Sequence, residues 1–351
     1  MFTGKNILVT GGTGSLGKVL IRRLLTGEMG MMNKIRVFSR DEAKQHEMRL
    51  HYQKRPQTAT DEAIYDDFHR MLQFEIGDVR DYQRVTQALQ DIDIVINAAA
   101  LKQVPTCEYF PYEAVQTNID GAENIVRAIR QLRLKVETVV GVSTDKACKP
   151  VNVMGMTKAL QERIFIGANI HCPDTRLVCV RYGNVLASRG SVIPMFIEQI
   201  QKGGPVTVTT PDMTRFLLSL DQAVDTVFAV VKEAKPGEIY IPRIPSAKIV
   251  DVAKALIGNR PIEIVISGIR PGEKLHEILI SDEEAFRTAD RGEYYAVLPM
   301  LPELQGEPVV SPLMEEYSSA SAVMSAESVA ALLKKNNLLV DNYVHGEEIL
   351  Q

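Results

Sequence analysis

The sequence predicts an α/β fold, a doubly wound parallel sheet with a smaller C-terminal α/β region after it. Three observations carry this. Apolar runs of strand length alternate with helix-like stretches, the pattern of βαβ units. The first run, Asn6 to Thr10, leads directly into Gly11-Gly12-Thr13-Gly14-Ser15-Leu16-Gly17 and an amphipathic stretch to Leu25. The run Val136 to Val142 stops at Ser143-Thr144-Asp145-Lys146. That places a polar cluster at the carboxyl end of a strand, where open α/β sheets bind ligands.

The chain has 351 residues, enough for a large core and for two or three domains by length. With 45% hydrophobic and 24% charged residues it reads as an ordinary globular protein. A net charge of −4 argues against a general nucleic-acid binder, yet leaves room for local basic clusters that hold a diphosphate. Cys107, Cys148, Cys172 and Cys179 show no C-x-x-C spacing and read as reduced thiols of a cytoplasmic protein. The six histidines form no metal-like cluster, and His46 and His51 fall on a solvated helix face, so no metal is expected. No apolar run reaches the roughly 18 residues of a membrane span. The first strand begins near Asn6, leaving no room for a signal peptide, so a soluble protein without a membrane partner is expected.

Glycine at 11 and 14 permits a tight turn and close backbone approach to a pyrophosphate, while Gly17 lets the helix pack on the strand. The helix N-terminus then faces the phosphates. Strand, loop and helix occur in the required order, so Gly11, Thr13, Gly14, Ser15, Leu16 and Gly17 are read as a dinucleotide cradle in a Rossmann-type sheet. The second strand, Lys34 to Phe38, ends in Ser39-Arg40 instead of an acidic residue that would bond both ribose hydroxyls of NAD. Ser39 and Arg40 suit a 2′-phosphate, which favours NADP, and Asp41 keeps NAD open. A charged helix is expected over Asp41 to Arg55, and the polar stretch 55–70 is an excursion before the third strand, Met71 to Ile76. The fourth strand, Asp91 to Asn97, leads into Ala98, Ala99 and Ala100, small enough for a backbone to lie against a cofactor or simply to pack beside the sheet. A helix is expected over Tyr112 to Arg133, a sixth strand over Leu177 to Val180, and a further helix up to Gln201.

The glycine loop, Ser143-Thr144-Asp145-Lys146, Met154-Gly-Met-Thr-Lys158 and Leu101-Lys102-Gln-Val-Pro-Thr-Cys107-Glu108 together resemble an extended short-chain dehydrogenase/reductase. The nearest group is the UDP-N-acetylglucosamine 4,6-dehydratases of the 5-inverting, polysaccharide-biosynthesis type. The resemblance runs from about residue 3 to 285. It departs from the wider superfamily at one slot, where Met154 replaces the Tyr of Tyr-x-x-x-Lys. It implies that Asp78 reaches the adenine amino group, that Val79 packs on the ring, and that Lys158 bonds the nicotinamide ribose. NADP is then tightly held and regenerated each turnover.

A 4,6-dehydration needs a 4-ketone to acidify the C5 proton, a base to take that proton, and an acid for the departing C6 oxygen. By resemblance and chemistry together, Lys146 is the C5 base and Asp145 the C6 acid. A lysine base needs a depressed pKa, expected here from burial and from Lys158. Consecutive residues of a strand point to opposite faces, so the chain must bend, as expected near Cys148-Lys149-Pro150. Met154 cannot accept a proton, which leaves Thr144, Asp145 or a water to take that of the C4 hydroxyl. Lys102 approaches the substrate, Asn118 orients the site, and Cys107 flanks the sugar ring or is merely a small buried residue.

Asn184, Arg189, Arg215 and Arg270 match the group's positions for the diphosphate and sugar, and Glu273 that for the uridine ribose; a guanidinium fork suits phosphate. The organisation expected is 1–183 for the dinucleotide, 184–290 for the nucleotide sugar with strands able to return to the first sheet, and 291–351 as an extension without assigned role. Within that extension Pro302 to Ala320 reads as a loop and Ser325 to Leu333 as an amphipathic helix. The resemblance implies a homo-oligomer, often a hexamer. Against the inverting dehydratase stand a retaining one, a 5,6-dehydratase, a 4-epimerase that would lack its base at Met154, and a non-catalytic NADP-binding sensor.

Overall fold

The computed structural model describes residues 2–53, 68, 70–188, 190–306 and 309–341. Arg189 and, apart from Phe68 and Arg70, the excursion 55–70 lie outside the described residues. In chain order the strands are β1 (Asn6–Thr10), β2 (Lys34–Ser39), β3 (Leu72–Ile76), β4 (Ile94–Asn97), β5 (Thr138–Val142), β6 (Arg176–Val180), β7 (Asn184–Val185) and β8 (Val206–Val208). There follow β9 (Thr214–Leu218), β10 (Ile239–Pro242), β11 (Ser246–Lys248), β12 (Ile264–Ile266), β13 (Ile278–Ile280), β14 (Thr288–Arg291), β15 (Tyr294–Val297) and β16 (Tyr317–Ser318).

Among the described residues nine strands form one sheet in the order β14-β15-β10-β6-β5-β4-β1-β2-β3. From β3 to β10 every pairing is parallel, and β15 and β14 add an antiparallel edge. Helices cover both faces of such a sheet, so its central strands are apolar on both sides instead of alternating. All four residues of β4 are buried. Strand order reverses between β1 and β4, the place where a doubly wound sheet opens a crevice. The glycine loop leaves β1 there, beside Ala98 and Ala99.

A second core lies beyond β6. Phe196 and Ile197 of helix Val192–Gln201 pack with Leu217 of β9 and with Val252 and Leu256 of helix Ile249–Ile257. Val329 and Leu333, from helix Ala326–Lys335 in the stretch read as an extension, complete it. The stretch read as a loop contributes β16, which pairs with β13. Two expectations are corrected. The helix expected over Tyr112 to Arg133 is three pieces, Pro111–Val115, a π-helical turn Gln116–Asp120 and Gly121–Leu132. Helix Leu220–Glu233, closed by a Ser219–Gln222 capping box, and β10 were not anticipated. Among the described residues no helix is long and apolar enough to cross a membrane.

Where β6 ends, Arg181 is fully buried between two carboxylates. It donates to Glu162 at 3.0 and 2.7 Å, to Glu284 at 2.7 and 3.0 Å, and to the Leu279 carbonyl at 2.8 Å. Burial alone would raise the Glu284 pKa, but the Arg181 guanidinium outweighs it and holds the carboxyl down at about 2. A carboxyl depressed on folding adds stability above its unfolded pKa, and that stability is lost as pH falls toward the folded value. Glu284→Gln is therefore expected to cost about 3–5 kcal/mol at neutral pH, since it strips charge from a buried pair. Urea unfolding at a series of pH values checks this: the wild type should lose more stability than the variant between pH 4.5 and about 2.

Candidate active site

The glycine loop is shaped by contacts that leave no room for side chains. Gly11 has φ +65°, and a Cβ there would come within 2.8 Å of the Ala99 backbone. A Cβ on Gly17 would come within 2.5 Å of Gly12, so helix Ser15–Leu25 rests directly on the loop. Gly14 differs: its Cβ would meet only the Gly11 carbonyl oxygen, at 3.2 Å. Gly14 begins the helix without a side-chain cap, so the helix presents backbone N–H groups at an open glycine face. At the end of β2, the Thr13 and Ser39 hydroxyls bond each other at 2.9 Å. The Arg40 side chain is 56% exposed and lies 3.7 Å from the Asp78 carboxylate. Asp78, expected at an adenine, accepts from Arg80 at 2.8 and 3.0 Å in its side chain and 3.0 Å in its backbone. Burial opposes its ionisation, and these Arg80 bonds reverse that and lower its pKa.

The turn expected to be catalytic forms directly after β5. The Asp145 N–H donates to the Tyr182 carbonyl at 3.0 Å, and Asp145–Ala147 close a 3₁₀ turn capped by Thr144. The bend thus comes at Asp145 itself, earlier than Cys148-Lys149-Pro150, and it turns both side chains to one side. Lys146 Nζ donates to Asp145 Oδ1 at 3.0 Å, and Thr144 Oγ1 donates to the same oxygen at 2.8 Å. Asp145 is fully buried, and its Oδ2 has no hydrogen-bond partner among the described residues. Lys146 Nζ also lies 3.2 Å from Oε1 of Glu277, a residue the sequence reading did not single out.

The expected depression of the Lys146 pKa is corrected. Burial does push it down, but Asp145 and Glu277 outweigh burial and raise it, while Arg215 opposes them weakly. Lys158 is engaged elsewhere. That lysine is itself buried, donates to the Val142 carbonyl at 2.6 Å and to Gln161 at 2.7 Å, and burial lowers its pKa to about 8. Asn118, on the π turn, exchanges hydrogen bonds with the Leu101 backbone at 2.9 and 3.0 Å and donates to Thr157 at 2.9 Å. It ties the chain after β4 to helix Val153–His171.

Met154 is buried on the first turn of that helix and packs with Cys107 and Ala114 under Leu101 and Val104. Cys107 is fully buried, its thiol 3.8 Å from the Leu101 carbonyl, and burial raises its pKa. It is thus a protonated thiol covered by apolar side chains, with no open face toward a sugar.

The substrate segments meet at the mouth of this turn. Asn152 donates to the Gly272 carbonyl at 2.8 Å, and a Cβ on Gly190 would strike Gln103 at 2.3 Å. Loops 101–104, 190 and 272 therefore converge, with Lys102 exposed among them. Asn184 Oδ1 and Glu273 Oε2 are buried without a hydrogen-bond partner among the described residues, as are Ser191 Oγ and Thr210 Oγ1. Arg270 is exposed on the same loop as Glu273. Arg215 is engaged otherwise than expected: it donates to the carbonyls of Thr214 at 2.7 Å, Lys274 at 3.0 Å and Leu275 at 3.2 Å, locking the segment that carries Glu277.

A curated relative from Rickettsia canadensis (strain McKiel), named UDP-glucose 4-epimerase, is 41% identical over 99% of each chain. The solved structure of Pen from Bacillus thuringiensis superposes with a TM-score of 0.84 at 33% identity, covering 97% of this chain and 99% of that one. DesIV of Streptomyces venezuelae, a dTDP-glucose 4,6-dehydratase solved with NAD, shares the fold with a TM-score of 0.65 at 20% identity, over 77% of this chain and 86% of its own. The family model described as polysaccharide biosynthesis protein matches residues 7–299, and the chain belongs to that family, among relatives that modify nucleotide sugars.

Proposed function

We propose that the protein is an NADP-dependent UDP-N-acetylglucosamine 4,6-dehydratase that inverts C5. The observation that carries this is the 3.0 Å hydrogen bond between Lys146 and a fully buried Asp145 on the turn that follows β5. Gly11, Gly14 and Gly17 fit a dinucleotide, with Ser39 and the half-exposed Arg40 beside its 2′-phosphate. Held there, NADP would supply the hydride chemistry that oxidation at C4 and reduction at C6 require.

The chain's own residues handle the protons. Asp145 and Lys146 hold one proton between them. Passed along their hydrogen bond, it gives a neutral acid and a free amine with no net change of charge. Lys146 then takes the C5 proton while Asp145 protonates the leaving C6 oxygen, and the pair returns to its ionic form. Met154 cannot relay the C4-hydroxyl proton; Thr144, bonded to Asp145 at 2.8 Å, is the adjacent hydroxyl that can pass it to water, which leaves the Asp145–Lys146 pair with its single proton. Inversion needs a proton on the opposite face of C5. Cys107 holds one, and Leu101 to Val104 must move for it to reach a sugar.

The epimerase reading is favoured by the name of the Rickettsia relative. Proton NMR of the protein with UDP-N-acetylglucosamine in D2O separates the two. Dehydration gives a C6 methyl signal with deuterium at C5; epimerisation leaves C6 intact and inverts only C4. Ring couplings of an L-arabino product are expected, turning to D-xylo in Cys107→Ala; an unchanged L-arabino product removes Cys107 from the reaction. Lys146→Ala should lower kcat by about 10²-fold or more, as loss of a general base does. Gly14→Ala keeps an ordinary backbone (φ −78°) and should fold normally. By narrowing the cradle it should weaken NADP binding by about tenfold or more in calorimetric titration.

A further inference from the structure

Glu277 is a buried carboxylate that the reaction scheme above does not use. Its Oε1 lies 3.2 Å from Lys146 Nζ and 3.8 Å from Arg215 Nε, and its Oε2 is buried with no hydrogen-bond partner among the described residues. Its backbone is held on both sides by Ser319: the Glu277 N–H donates to Ser319 Oγ at 2.9 Å, and the Ser319 N–H donates to the Glu277 carbonyl at 2.8 Å. Ser319 Oγ in turn bonds Thr214 at 2.7 Å. A segment read from sequence as a loop without a role thus sets the position of a charge inside the catalytic cluster. The ionic groups facing Glu277 are Lys146 and Asp145 on the catalytic turn and Arg215 on β9. On its own segment, His276 turns away to Thr214 at 2.8 Å, and Lys274 to the Cys148 carbonyl at 2.6 Å.

We propose that Glu277 is a positioning residue of the acid–base site, holding the Lys146 ammonium against Asp145 and governing when that lysine can act as a base. The effect on catalysis rests on the reading of Lys146 given above. An ammonium in a buried site is poorly solvated, and burial works to strip its proton. Two carboxylates, at 3.0 and 3.2 Å, offset that. Either carboxylate alone would hold it less firmly. Glu277 also balances Arg215, so the cluster pairs two cations with two anions. Its unbonded Oε2 leaves it able to accept a further hydrogen bond without giving up Lys146.

The test is Glu277→Gln, which keeps size and removes charge, in cofactor-loaded protein labelled with 13C-lysine. The Lys146 side-chain signal, assigned by its loss in Lys146→Ala, is titrated by NMR. Its pKa is expected to fall by about one unit or more, because an opposite charge within ~4–6 Å shifts a pKa by that order. Titration within about 0.3 unit of wild type in a folded variant would overturn the proposal. Should Glu277→Gln fail to fold, Glu277→Asp draws the charge back by one methylene, and a smaller fall is expected; no fall overturns it. This readout needs no substrate, so it stands even if the dehydratase reading fails. Where turnover is measurable, kcat should drop with little change in KM, and the acid limb of kcat/KM should move to lower pH.

Discussion

The structure depends on one buried guanidinium. Arg181 leaves β6 and lies between Glu162 of the long helix after the catalytic turn and Glu284 of a late segment. Moving such charges out of water costs several kcal/mol per ion, and only full pairing repays it. The pairing here is full: both carboxylates are bridged, and Glu162 also accepts from Ser143 at 2.5 Å. Ser143 immediately precedes the catalytic turn. The Leu279 carbonyl, also bound by Arg181, lies two residues beyond Glu277. One side chain therefore sets the register of the sheet end, the helix and the late segment whose groups meet at Lys146.

Around that register lie several polar atoms with no hydrogen-bond partner among the described residues. Asp145 Oδ2, Glu277 Oε2, Asn184 Oδ1, Glu273 Oε2, Ser191 Oγ and Thr210 Oγ1 are all buried. Each unmet group costs roughly 1–3 kcal/mol, so folded proteins keep few of them. These come from the turn after β5, from the stretch 184–210 that begins with β7, and from the segment 273–277 before β13. Groups held this way fit the recognition of a polar ligand, because the chain bears their desolvation before binding.

Much of the frame was legible in the sequence because its physical causes are local. Strands buried on both faces are continuous apolar runs, and Gly11 and Gly17 stand where backbone meets backbone. Ser143 to Lys146 was located because an apolar run must end before a polar cluster begins. What escaped has tertiary causes. Lys146 was expected to lose its proton, but Glu277 arrives from a distant segment and reverses the balance. Arg215 looked like a phosphate ligand, yet its fork meets three carbonyls of its own and a neighbouring segment. The break at Gln116–Asp120 exists because Asn118 must reach Leu101 and Thr157. Helix Leu220–Glu233 is different, because its causes are local: an apolar period that follows the Ser219 cap.

The exchange of Tyr for Met at 154 gains meaning from its surroundings. Met154 sits in an apolar pocket with Cys107 and Ala114, so that position on the helix offers no group that can titrate. An epimerase moves hydride at C4 and needs proton transfer only there. It has no use for an acid and a base set side by side. Here the titrating groups have moved to the turn after β5, where Thr144, Asp145 and Lys146 form one hydrogen-bonded string backed by Glu277. Burying Asp145 and Glu277 while each keeps an oxygen unbonded is costly in a fold that gains nothing from it. A reaction that must take a proton from one carbon and give one to the neighbouring oxygen supplies the reason to keep them.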